Sequence, residues 1–65
     1  MYRVFTRTFW KPNPSWPGGR EPHLGRRSYI AHGLSTYEEA REIAKDYNRT
    51  HEPGRLSRKA EVEES

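Results

Sequence analysis

The sequence predicts an α+β domain: an antiparallel β-hairpin, with room for a third strand, packed on one amphipathic helix and followed by a disordered C-terminal tail. Three observations lead there. The first ten residues are rich in β-branched and aromatic side chains. A helix-capping signature at residues 35–39 opens a run of apolar residues at helical spacing. The segment between them, residues 11–26, holds four Pro and three Gly. A chain of 65 residues has room for one domain. A domain of that size buries only about 60% of its unfolded surface, so its core is small.

Residues 2–10, Tyr-Arg-Val-Phe-Thr-Arg-Thr-Phe-Trp, read as a strand. Successive side chains of a strand point to opposite sides. Tyr2, Val4, Thr6, Thr8 and Trp10 therefore share a face that can cover a core, and Arg3, Phe5, Arg7 and Phe9 share a face where cation alternates with ring. In residues 11–26, Pro12, Pro14, Pro17 and Pro22 with Gly18, Gly19 and Gly25 oppose both helix and regular strand. Loops of this length are uncommon in compact domains and tend to be functional or disordered. Trp16 and Leu24 are its apolar tethers, and a short third strand fits within it although nothing demands one. Residues 27–34 read as the second strand, with Gly33 marking its end or a bulge.

Thr36 with Glu39, or Ser35 with Glu38, fits a capping box. The glutamates also favour the positive end of the helix dipole. Tyr37, Ala40, Ile43, Ala44 and Tyr47 then form one face, and Glu38, Arg41, Glu42, Lys45, Asp46 and Arg49 the other. The helix is expected from Thr36 to Asn48 or His51, with Pro53-Gly54 beyond its end. This makes residues 1–54 the folded domain. Residues 55–65 offer only Leu56 and Val62 for burial, and as a helix from Ser57 they would set Arg58 and Lys59 at the positive end. They are expected to be a flexible tail.

The chain has no cysteine, so disulfides and thiolate chemistry are excluded. His23, His32 and His51 are too scattered for a zinc motif. No apolar run approaches the ~20 residues that cross a bilayer, and the N-terminal residues lack the apolar stretch of a signal peptide. A cytoplasmic protein is expected. The net charge of +3 is uneven: residues 1–34 carry six Lys/Arg against one Glu, while residues 35–50 and 51–65 each carry three against four.

The basic half suggests the first candidate site. Arg3, Arg7, Lys11, Arg26 and Arg27 lie on the hairpin with Phe5 and Phe9. Arginines contact phosphates and base edges, and aromatic rings stack on unpaired bases, so DNA or RNA is the partner this pattern fits. The plainer alternative makes Phe5 and Phe9 core residues bordered by arginines. A second candidate is Trp16 in its proline-stiffened loop, a binding anchor or a lid on the core. A third is the segment 53–61, where Leu56 and Arg58 could dock on a partner protein or simply trail in solvent. No nucleophile motif, phosphate loop or metal spacing occurs, and so small a domain has little concave space, so neither catalysis nor a small-molecule substrate or cofactor is expected.

Two resemblances add to this reading. Through Trp10-Lys11-Pro12-Asn13, Trp16-Pro17-Gly18-Gly19, Glu38-Glu39-Ala40-Arg41, Tyr47-Asn48 and Pro53-Gly54-Arg55-Leu56-Ser57-Arg58-Lys59-Ala60-Glu61, the whole chain resembles short uncharacterised proteins of tailed bacteriophages and prophages. That resemblance implies a bacterial cytoplasm and an accessory role, and no particular activity. Through Gly33-Leu34-Ser35-Thr36-Tyr37-Glu38-Glu39-Ala40, residues 2–50 are similar to the AP2-like arm-binding domains of phage integrases, which read DNA with a three-stranded sheet packed on one helix. The chain departs from those domains in its long Pro/Gly loop and in lacking a clear third strand. The expectation is an accessory module that binds nucleic acid through the hairpin. The alternative is an inhibitor or adaptor that engages a host bacterial protein through the loop or tail.

Overall fold

The computed structural model describes residues 1–65. The β-branched and aromatic residues at the N-terminus form β1 (Tyr2–Arg7), and the hydrophobic residues before Gly33 form β4 (Ser28–Leu34), which pairs antiparallel with it. Val4 faces Ala31 and Phe5 faces Tyr29, so β4 carries one extra residue there; a second irregularity separates Ala31 from Leu34. Gly33 sits in that second bulge at φ 69°, where a side chain would be strained. The helix α1 (Tyr37–Thr50) begins at Thr36, whose hydroxyl accepts from the Glu39 N–H at 3.2 Å. Of the two caps the sequence allows, Thr36 is the one used.

Helix α1 lies across the Val4 face of the sheet. Val4, Ala40, Ala44 and Ala60 form the buried core, with Tyr2, Ile43, Tyr47 and Val62 packed around it. The alanines allow this close approach, since Ala40 and Ala44 place only methyl groups of the helix over Val4 and Ala60. Tyr37, expected to face the sheet, stays at the rim and meets Tyr2 edge-on at 5.8 Å.

The C-terminal residues depart from expectation. They form β5 (Lys59–Glu64), which pairs antiparallel along the other side of β1 from Tyr2↔Glu64 to Arg7↔Lys59. The third strand is therefore the tail, β1 is the central strand, and the sheet order is β4-β1-β5. The mismatch with a helix dipole that argued for disorder has no force in a strand. Ala60 and Val62 alternate with Lys59, Glu61 and Glu63, which is a half-buried strand pattern. The folded domain accordingly includes residues 55–65.

The Pro/Gly segment also holds more structure than its composition suggests. β2 (Trp10–Pro12) and β3 (Arg20–Pro22) form a two-stranded ribbon closed by a 3-10 turn at Pro17–Gly19. Each proline of the pair sits at the end of its strand, where a missing N–H breaks no ladder. The ribbon explains the shape of the molecule, 44 × 22 × 13 Å, which is longer than the roughly 20 Å a six-residue strand spans.

The segment between α1 and β5 packs along this ribbon, from its base to its closing turn. The Leu56 carbonyl accepts from the N–H groups of Phe9 and Trp10 at 3.0 and 3.2 Å. Arg55 reaches the Gly18 carbonyl at 2.9 Å through the space a side chain at Gly19 would fill. No helix is long and apolar enough to cross a membrane.

Candidate nucleic-acid interface

The sheet face turned away from α1 is built by alternation. Arg3, Phe5 and Arg7 project from β1, and the register sets Glu63, Glu61 and Lys59 opposite them on β5 and Tyr29 opposite Phe5 on β4. Cross-strand neighbours of this kind interact directly. Arg3 Nε donates to Glu63 at 2.5 Å and its guanidinium lies 4.9 Å from the Tyr29 ring centre. Arg7 donates to Glu61 at 3.1 Å and is held against the rings of Phe5 and Phe9 at 5.4 and 5.5 Å. Arg27, just before β4, bonds the second oxygen of Glu63, and its guanidinium lies 5.0 Å from the Phe5 ring centre.

Phe5 is buried without joining the cluster under the helix. Its side chain is only 3% exposed, yet it belongs to the open face and is buried by the guanidiniums of Arg7 and Arg27 and by Tyr29. Tyr29 is the ring left accessible, at 44%. Arg7 is the most enclosed of the three arginines on this face, and its Nε is a buried donor without a partner.

Glu63 is the electrostatic hub. Partial desolvation pushes its carboxyl up, but the hydrogen bonds from Tyr29 and Arg3 and the charges of Arg3 and Arg27 outweigh that, and the net effect lies below the usual carboxylate range. The Tyr29 hydroxyl, and after it the Glu63 charge, pushes Arg27 above its ordinary value. The face holds Arg3, Arg7, Arg27 and Lys59 against Glu61 and Glu63, an excess of two positive charges.

The other expected site residues fall elsewhere. Lys11 is on the ribbon and pairs with Glu21 at 3.3 Å. Arg26 is exposed beside Arg27 and makes no ion pair. Trp16 stands at the ribbon tip, 46% exposed. The tip is knitted together: Asn13 Oδ1 accepts from Ser15 N–H, and the Asn13 carbonyl accepts from Trp16 N–H, both at 3.0 Å. Leu56 is half-buried, and Arg58 donates to the buried Thr6 hydroxyl at 3.1 Å, so both are used within the fold.

Tyr29, Lys59, Glu61 and Glu63 belong to the site and escaped the sequence reading. The signal for the last three was a period of two in charge across residues 59–63, with Glu61 and Glu63 opposite in sign to the arginines of β1. No three metal-ligating side chains converge anywhere in the chain. No protein-family model, curated protein or solved structure matches this chain.

Proposed function

We propose that this protein is a phage-type accessory module of the bacterial cytoplasm that binds nucleic acid through the open face of its three-stranded sheet. What supports the reading is the convergence of Arg3, Arg7 and Arg27 opposite the helix, each guanidinium within 4.9–5.4 Å of an aromatic ring centre. Planar, pre-oriented guanidiniums suit bidentate contact with phosphate. The carboxylates that orient them are also what a phosphate must compete with. Because Phe5 is roofed by arginines, bases have only Tyr29 to stack on. Contacts are therefore mainly to phosphate, and binding tolerates different sequences.

The test is fluorescence anisotropy with labelled single- and double-stranded oligonucleotides. An excess of two charges on the face corresponds to about two phosphate contacts, which predicts an affinity loss of about tenfold on duplex between about 50 and 200 mM salt. Arg3→Ala and Arg27→Ala each weaken binding and flatten the salt slope. Glu63→Gln tightens binding by releasing both arginines. Absence of binding near 50 mM salt by a folded protein refutes the proposal.

A second reading rests on Trp16. A half-exposed Trp on a well-hydrogen-bonded tip fits an anchor for a protein partner, because Trp is enriched where interfaces concentrate their energy. A host bacterial protein retained after nuclease treatment and lost with Trp16→Ala would favour an inhibitor or adaptor.

A further inference from the structure

We propose that the groove between α1 and β5 binds an extended acidic peptide as a fourth, antiparallel strand of the sheet. The groove has a volume of about 480 Å³ and runs between α1 and β5, reaching Glu61 at the margin of the arginine face. Ala44, Val62 and Tyr37 supply its apolar surface, Arg41 and Lys45 its charges, and Asn48 stands at one end.

The register shows what the strand edge offers. In an antiparallel ladder, alternate residues bond to one neighbour and the residues between them point the other way. Asn48 bonds both the N–H and the C=O of Ala60, at 2.8 and 3.2 Å, so the even-numbered residues of β5 turn their backbone groups away from β1. The Ser65 N–H bonding to the Met1 carbonyl agrees with the odd-numbered residues facing β1. Val62 therefore presents an unpaired N–H and C=O along the groove. The opposite edge, β4, is broken by two bulges, whereas β5 pairs with β1 without a register shift over six residues. An unbulged free edge is a template for strand addition.

Charge selects the occupant. Arg41 and Lys45 make no ion pair, and the one carboxylate on the groove, Glu61, is engaged by Arg7. In antiparallel pairing, the residue opposite Val62 places its side chain on the groove side, within the field of the two cations. The next residue falls on the Glu61 and Glu63 side, which disfavours a second acid there. The fitting ligand alternates acidic and neutral residues. A second copy of β5 fits less well, because it would bring Glu61 and Glu63 of both chains together on one face.

The probe is a fluorescein-labelled peptide alternating Glu and Thr, measured by anisotropy beside an alternating Lys and Thr peptide. A third peptide repeats the first with its Glu amides N-methylated. The Glu–Thr peptide is expected to bind about tenfold tighter than either control, the weight of one charged pair or one backbone bond. Arg41→Glu with Lys45→Glu, at exposed helix positions, reverses the preference between Glu and Lys peptides while circular dichroism stays native. The Val62 amide exchanges more slowly with the Glu–Thr peptide bound. Equal affinity for all three peptides, or unchanged Val62 exchange, overturns the proposal. So does concentration-dependent dimerisation with Val62 protected in the absence of peptide, which would assign the edge to a second copy.

Discussion

Asn48→Ala is the most informative single change for the fold. The Asn48 side chain gives Ala60 the two bonds a neighbouring strand would give, tying the end of α1 to β5. Two such bonds are worth about 1 kcal/mol each net. Alanine returns about 0.6 kcal/mol as the better helix former. The remaining loss is about 1–1.5 kcal/mol. For a domain of this size that lowers the Tm by roughly 5–10 °C. Thermal unfolding followed by circular dichroism reads the shift, and amide exchange reads its location: Ala60 exchanges faster, while Val4, between two strands, is least affected. An unchanged Tm with unchanged Ala60 exchange would refute the reasoning and leave β5 held by β1 alone.

Other perturbations follow from the same contacts. Thr36→Ala is expected to cost about 1 kcal/mol in urea unfolding and Ser35→Ala much less, because only Thr36 caps the helix; equal costs would contradict that. Val4→Ala removes two buried methyl groups at about 0.8 kcal/mol each and leaves a cavity, for about 2–3 kcal/mol in all, and a Tm within a degree or two of the parent would mean the core is placed wrongly. Glu63 has its carboxyl held down in the folded state, so its contribution is complete above the unfolded value of about 4.3 and is lost as pH falls through the folded one. Glu63→Gln should therefore lower Tm near neutrality and converge with the parent in acid; a gap independent of pH would contradict the role of Arg3 and Arg27 as its partners.

The helix was legible because its signals are local. Thr36 and Glu39 stand in one turn, and Ala40, Ile43, Ala44 and Tyr47 repeat at a period no strand shares. The two faces of β1 were legible for a similar reason, since alternation sends Val4 inward and Arg3, Phe5 and Arg7 outward. The tail was not, because its order depends on residues more than fifty positions away: Glu61 and Glu63 are ordered by Arg7 and Arg3. Judged as a helix, residues 57–64 oppose their own dipole, and only a search for period two brings out Ala60 and Val62. The candidate interface was legible to the same depth. Arg3, Arg7 and Arg27 converge as their strands predict, whereas Lys11 leaves with the ribbon, Leu56 is half-buried, Arg58 bonds to Thr6, and the neutralising carboxylates come from the strand the sequence hid.

In the proposed complex, nucleic acid meets the sheet face of Arg3, Arg7 and Arg27. Titrating a short duplex into isotope-labelled protein and following the amide and Arg side-chain resonances tests it most directly. Shifts are expected to concentrate on Arg3, Phe5, Arg7, Arg27, Tyr29 and Glu63, with α1 and the Trp16 tip unmoved, and to disappear as salt is raised. Shifts centred on Trp16 or on Arg41 and Lys45, or none at low salt, would contradict it.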